Sequence, residues 1–261
     1  MTKPTTETIL SDFRLQELTQ DYGKYTHEDQ QVWHLLFERQ NKHLPQAASQ
    51  AYLKGLEYIG FNAGRIPDFS EVNHKLGQAT GWSVQVVPGL IDVDLFFGLL
   101  HHKRFPSSTW LRKMDALDYL QEPDMFHDAF AHMPLLTNDA FTGFLEDLAG
   151  IALRHIDNPI AIDLLSRIYW FTVEFGLIRE QGKLRVYGAG IISSSGETKF
   201  SLSDEPKHLD YNVSVILNTP YWKNKFQDRY FIIDSFEQLY ESIPEIELQL
   251  EIELEKEGDE G

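Results

Sequence analysis

Residues 159–178 read PIAIDLLSRIYWFTVEFGLI, a twenty-residue stretch that is apolar almost all round. A surface helix would carry a polar face along its length. This segment therefore predicts a helix buried at the centre of the fold, with the rest of the chain packed around it. Apolar runs such as LFFGLL, near Leu95 to Leu100, are far too short to span a bilayer. The start, MTKPTTETILSDF, lacks a charged segment followed by an apolar core. A soluble, cytoplasmic protein with no membrane partner is the expectation.

One residue contradicts its surroundings. Glu174 lies inside IYWFTVEFGLI, where a carboxylate costs on the order of several kcal/mol unless it meets a cation. An arginine such as Arg167 or Arg179 would neutralise it, and so would a metal ion.

Composition narrows the metal chemistry. The chain has no cysteine, which excludes disulfides, thiolate zinc sites and cysteine nucleophiles. Any metal must be held by nitrogen and oxygen. Forty acids against 23 bases give a net charge of −17, so the surface repels nucleic acid and anionic membranes. The excess is uneven, because residues 244–261 hold eight acids and one lysine, −7 of the −17. That run reads as a solvated helix end fading into a tail.

EPDMFHDAFAHMPLL, from Glu122 to Leu136, places His127 and His132 five residues apart in an apolar setting. Taken alone, this spacing favours packed histidines with ordinary hydrogen-bond partners over ligands. It is not the zinc-protease pattern, whose histidines are four apart on one helix face. Five apart on an α-helix means a divergence of roughly 140°, so both reach one ion only near a helix end or across a concave wall. Taken together, two imidazoles and a buried carboxylate compose the set that holds non-haem ferrous iron on one face. Up to about three coordination positions then stay open, whereas a structural zinc site is closed by four protein ligands.

The remaining pattern is mostly α with a few short strands. Residues 1–25 read as a loosely ordered N-terminal segment, 26–243 as one catalytic domain, and 244–261 as the acidic helix end and tail. Thr26 caps a helix over HEDQQVWHLLFERQ. QAASQAYLKGLEYI reads as a second helix, and Ser70 as the cap of a third, SEVNHKLGQ. WSVQVV from Trp82 alternates as a strand. VDLFFGLLHHKRF is helical until Pro106 breaks it, and Pro123 is set to occupy the first turn of the next helix. Asn138 caps DAFTGFLEDLAGIALRHI. KLRVYG, TKFSLS and RYFIIDS read as strands, AGIISSSGE as a loop, DYNVSVILN as either state, and SFEQLYESI as a last helix.

EPDMFHDAFAHMPLL, IYWFTVEFGLI and YGAGIISSSGE, in this order, resemble the pterin-dependent aromatic amino acid hydroxylases, most closely the bacterial phenylalanine 4-hydroxylase branch. The similarity runs from RIPDF at Arg65 through TGWSVQVVPGLI and KRFPSSTWLR to RYFIIDSFEQLY at Tyr240. It implies the single-domain catalytic fold of that family and a ferrous ion on His127, His132 and Glu174. Ser193 matches the serine that orients a ligand histidine through its other ring nitrogen. Arg112 matches the arginine that grips the amino acid's carboxylate bidentately, and Asp124 holds that arginine. Trp170 and Phe175 match walls around the substrate ring, shaped further by Pro123 and Gly190. On the pterin side, the resemblance implies stacking by Phe96, backbone contacts around Leu90 and Ile91, and Tyr169 nearby. Asp128 stands where many members have glutamate and reaches the pterin through water. Val93 and Pro106 replace polar residues that touch pterin in longer relatives, and Leu120 replaces a threonine near the substrate.

The family's chemistry is a mixed-function oxidation, in which iron and a tetrahydropterin such as tetrahydrobiopterin split dioxygen and one atom enters the aromatic ring of phenylalanine. The same machinery acting on tryptophan is the competing expectation. A non-catalytic metal-binding protein on this fold, and a zinc hydrolase, are the readings from other classes. Without room for a separate regulatory domain or a sustained heptad for a tetramerisation coil, a monomer is expected.

Overall fold

The computed structural model describes residues 18–118, 122–223 and 225–259. Helix α1, His27–Asn41, starts at a capping box: the Thr26 hydroxyl accepts the Asp29 N–H while the Asp29 carboxylate accepts the Thr26 N–H. Its Val32, Trp33, Leu36 and Phe37 are buried. Helix α2, Gln50–Ile59, starts later than the sequence suggests, because Ser49 accepts the Tyr52 N–H and caps it there. Helix α3, Phe69–Ala79, is capped by Asp68 and not by Ser70. The earlier start brings Phe69 into the helix and buries it.

Strand β1, Ser83–Val86, is followed by helix α4, Val93–His101, and strand β2, Arg104–Ser107. The expected continuation of α4 to Pro106 is corrected here. Lys103 takes a positive φ of 56°, and Arg104 to Ser107 pair in parallel with Ser83 to Val86. Pro106 sits inside β2, where a two-stranded sheet leaves an edge that needs no N–H donor. Pro123 does not open the next helix either, since regular structure begins only at Met125. Phe126–His132 then forms a π-helix.

Helix α5, Asp139–Arg154, is capped by Asn138. Helix α6, Pro159–Tyr169, continues into a second π-helix, Trp170–Glu174. The predicted central helix is thus shorter than its apolar run. Its first turns are amphipathic, with Ile160 and Asp163 exposed, and burial becomes continuous only around Phe171 to Val173. Leu177–Glu180 leaves it as strand β3.

A four-stranded sheet of β3, β4 (Lys183–Val186), β5 (Lys207–Asp210) and β6 (Arg229–Ile233) has the order β4-β3-β6-β5. The β3–β4 pair is antiparallel, and β6 runs parallel to both β3 and β5. TKFSLS is not a strand but part of helix α7, Ser195–Ser201. Ser194 caps it by accepting the Glu197 N–H, and Thr198 bonds back to the Ile191 and Ser194 carbonyls. These local side-chain bonds outweigh the alternating pattern. The AGIISSSGE loop begins with one helical turn, Ala189–Ile192. DYNVSVILN resolves into helix α8, Val213–Leu217, and α9 is Phe236–Glu241.

The acidic run forms helix α10, Ile243–Asp259, rather than fading after residue 243. Ile246 and Leu250 are fully buried and Leu254 packs partly against the core. Their four-residue spacing gives α10 one apolar stripe beneath its charges. At the other end, the described part of the segment expected to be loose is tied down. The Gln20 amide donates to the Pro67 carbonyl at 2.9 Å and accepts the Phe69 N–H at 2.8 Å, and Tyr25 donates to the Thr109 carbonyl. Residues 1–17, and Leu120, lie outside the described residues. A contiguous core runs from Val32 to Leu250, with Val87, Leu95 and Leu99 forming a smaller cluster beside it. Among the described residues no helix is long and apolar enough to cross a membrane.

Candidate metal centre and adjoining cavity

His127 and His132 are the second and last residues of the first π-helix, and Glu174 is the last residue of the second. In a π-helix each N–H reaches five residues back, so positions five apart stack on nearly one face. The roughly 140° divergence of an α-helix is thereby removed. His127 Nε2 and His132 Nε2 lie 3.1 Å apart. The Glu174 carboxylate is 3.6 Å from the first and 3.3 Å from the second. Among the described residues these three form a group able to hold a metal ion, their ligand atoms all within 4.8 Å of one another.

The two arginines that could have neutralised Glu174 are engaged elsewhere. Arg167 binds Asp163 and the Leu217 carbonyl, and Arg179 binds Asp210 and Asp234. Burial would raise the Glu174 carboxyl, but His132 and then His127 outweigh it and hold it below its ordinary value. Burial pushes His127 down to about 4, against the opposing pull of Glu174.

The donor set fits a cation. Ser193 Oγ lies 2.9 Å from His127 Nδ1 and donates its own proton to the Ala189 carbonyl, also at 2.9 Å. With that proton committed, Ser193 accepts from Nδ1–H. The tautomer so fixed leaves the Nε2 lone pair directed at His132 and Glu174.

Asp124, fully buried, closes the arrangement from behind. It accepts the Arg112 Nε–H at 2.9 Å and Nη2–H at 2.8 Å, and its oxygens also take the backbone N–H groups of Arg112 and His127. Burial would raise its carboxyl, but the Arg112 bonds dominate and lower it. One carboxylate thus fixes both a guanidinium and the backbone of a histidine in the triad.

The triad opens on a cavity of about 200 Å³. Leu90, Ile91, Phe96, Pro123, Asp128 and Tyr169, all singled out in the sequence, line it together with His127, His132 and Glu174. Leu90 is 70% exposed, which puts it at the rim. Phe96 and Tyr169 meet edge to face at 5.3 Å. Asp128 accepts the Ser108 N–H at 2.9 Å, and burial pushes its carboxyl up to about 7. Pro106 lines the cavity, whereas Val93 and the substrate-side residues Arg112, Trp170, Phe175, Gly190 and Ser193 stand outside its lining.

Three of those form a cluster behind Glu174. Trp170 and Phe175 lie 4.8 Å apart, and a Cβ added to Gly190 would come within 2.7 Å of the Phe175 ring. Gly188 is closer still to the backbone, since a Cβ there would lie 2.4 Å from the Glu174 carbonyl. The repeated glycine of YGAG was the available signal for this close approach. Ser108 and Phe105 had none: Ser108 binds Asp128 through its backbone, and Phe105 lays its ring 4.7 Å from that of His132.

Comparison with known proteins identifies the family. The sequence profile of the biopterin-dependent aromatic amino acid hydroxylases matches residues 5–256. The chain is 45% identical over 228 residues to the phenylalanine-4-hydroxylase of Chromobacterium violaceum, covering 86% of this chain and 76% of that protein. With the Ralstonia nicotianae phenylalanine-4-hydroxylase it shares 43% identity over 237 residues, 90% of this chain and 74% of that one. The crystal structure of the C. violaceum enzyme with iron(III) and oxidised 7,8-dihydrobiopterin superposes with a TM-score of 0.86 at 44% identity, covering 92% of this chain and 88% of that chain. The Legionella pneumophila phenylalanine hydroxylase gives a TM-score of 0.83 at 39% identity, covering 87% of this chain and 92% of that chain. The chain belongs to the biopterin-dependent aromatic amino acid hydroxylases.

Proposed function

We propose that this protein is a monooxygenase that converts L-phenylalanine to L-tyrosine, using dioxygen, a tetrahydropterin and non-haem ferrous iron. The observation that carries this reading is the convergence of His127, His132 and Glu174 on one wall of a cavity, with Ser193 fixing the histidine tautomer. Iron, held by those three side chains, supplies the activation of dioxygen together with the reduced pterin. The protein's own residues bind, orient and exclude water.

Arg112, held rigid by Asp124, offers its guanidinium to the amino acid's carboxylate. Trp170 and Phe175 wall the substrate ring, with Pro123 and Gly190 bounding the space. Phe96 stacks on the pterin, the backbone of Leu90 and Ile91 hydrogen-bonds its edge, Tyr169 flanks it, and Asp128 reaches it through water. Tetrahydrobiopterin or a related tetrahydropterin is the co-substrate. The named ligands of relatives support this assignment, since C. violaceum phenylalanine hydroxylase binds iron with phenylalanine in one structure and iron with 7,8-dihydrobiopterin in another. The enzyme works in the cytoplasm as a monomer.

The test is tyrosine formation from phenylalanine with ferrous iron and tetrahydrobiopterin, against metal-free protein and against tryptophan assayed side by side. Iron-dependent tyrosine production is expected. A higher specificity constant for tryptophan would reassign the substrate, and full activity in Glu174→Ala would remove the proposed triad.

A further inference from the structure

Beyond Trp170 lies a third ring that the reading above does not use. Tyr221 stacks on the indole with centroids 4.6 Å apart and planes at 26°, on a ring that itself lies 4.8 Å from Phe175. Phe175, Trp170 and Tyr221 therefore form one run of ring contacts, tilted by 34° at the first and stacked at the second. Among the described residues, nothing accepts a hydrogen bond from the buried Trp170 Nε1–H. A buried indole ordinarily fixes its angle through that N–H. Here the orientation of Trp170 rests on its neighbours' rings.

The segment that carries Tyr221 is braced for this purpose. Gln227, 1% exposed, folds back on it: its Oε1 accepts the Trp222 N–H at 3.1 Å and its Nε2 donates to the Trp222 carbonyl at 2.6 Å. The Gln227 N–H in turn donates to buried Glu197 at 3.3 Å. Tyr221 is thus pinned next to its own position in the chain, and its ring is half-buried against the core. Trp170 begins the π-helix that ends at Glu174, and its carbonyl accepts the Phe175 N–H. A turn of the indole is transmitted to the substrate wall through this short unit.

We propose that Tyr221 is a positioning residue for the substrate ring: its phenol backs the indole of Trp170, which backs Phe175, and so sets the angle of the wall beside Glu174. The inference rests on the proposed phenylalanine hydroxylation. The ring face does this work, so phenylalanine can replace Tyr221 and an aliphatic side chain cannot.

The experiment compares full-length wild type, Tyr221→Phe and Tyr221→Leu, each loaded with ferrous iron and assayed with phenylalanine and tetrahydrobiopterin. Leucine keeps apolar contact and so preserves the fold while removing the π face. Tyr221→Leu is expected to raise KM for phenylalanine about threefold to tenfold with kcat changed less than about twofold. It also forms less tyrosine per tetrahydropterin oxidised, with wild-type iron content. Tyr221→Phe stays within about twofold of wild type on every measure. Wild-type KM and coupling in Tyr221→Leu, or equal impairment in both variants, overturns the proposal alone. A wild-type protein that forms no tyrosine overturns the parent reading and this one with it.

Discussion

Glu197→Gln should erase a pH dependence of stability that the wild-type fold carries. Glu197 is 6% exposed, and its Oε1 accepts the Tyr230 hydroxyl at 2.7 Å and the Gln227 N–H at 3.3 Å. Burial pushes its carboxyl up to about 7, and the Tyr230 and Gln227 bonds offset only part of that rise. In the unfolded chain it ionises near its ordinary 4.5. Between those two values the folded state binds more protons than the unfolded one, so stability falls as pH rises. The contribution is fully present below 4.5, is lost progressively up to about 7, and then levels off. At about 1.4 kcal/mol per pH unit, this gap amounts to about 3 kcal/mol, a large share of the 5–15 kcal/mol typical of a folded domain. Glutamine keeps the oxygen that accepts both bonds and cannot ionise. Urea unfolding at pH 5, 6, 7 and 8, followed by tryptophan fluorescence, gives both stability curves, and their difference cancels titration common to the two proteins. The variant should gain about 3 kcal/mol relative to wild type between the acidic and alkaline ends. Parallel curves across that range would refute a buried, proton-holding Glu197.

Two further predictions concern the metal centre and the last helix. Ser193→Ala removes the acceptor of the His127 Nδ1–H bond and should weaken metal binding about 10- to 100-fold, read by cobalt titration of the metal-free protein; undiminished affinity would strip Ser193 of its orienting role. Leu250→Ala should cost about 2–5 kcal/mol by opening a cavity under α10, whereas Leu248→Ala, at a position 59% exposed, should stay within about 0.5 kcal/mol. Equal effects of the two in urea unfolding would mean that α10 does not dock on this face.

Much of this architecture was legible because local chemistry and global packing agreed. Thr26 with Asp29, and Asn138 before DAFTGF, are side-chain caps that declare themselves in the sequence and close the expected bonds. RYFIIDS became β6, an inner strand buried from Tyr230 to Ile233, and KLRVYG became the edge strand β4, which buries Val186. Misreadings fell where two local signals competed. TKFSLS alternates like a strand, yet Ser194, Thr198 and Ser201 satisfy helical backbone groups with their own hydroxyls. The acidic run concealed α10, because charge count says nothing about an isoleucine and leucines spaced four apart beneath it. Among the site residues, Glu174 announced itself as a carboxylate in apolar company. Ser108, acting only through its backbone N–H, left no mark.

The histidine spacing shows why the site itself was the hardest part to read geometrically. A π-helix differs from an α-helix by one residue per hydrogen-bonded ring, too small a change to alter apolar periodicity over the seven residues from Phe126 to His132. All three candidate ligands nevertheless fall in such segments. Regular α-helix would be the easier local structure, so widened turns at both places need a tertiary reason to persist. The convergence of three potential metal-ligating groups supplies one. With Ser193 holding the proton of His127 at Nδ1, its Nε2 turns a lone pair toward His132 Nε2 at 3.1 Å and the Glu174 carboxylate at 3.6 Å. A cation among these groups would be bound by that lone pair and the carboxylate together. The local irregularity and the buried acid, each unfavourable alone, would be reconciled by one divalent ion held there.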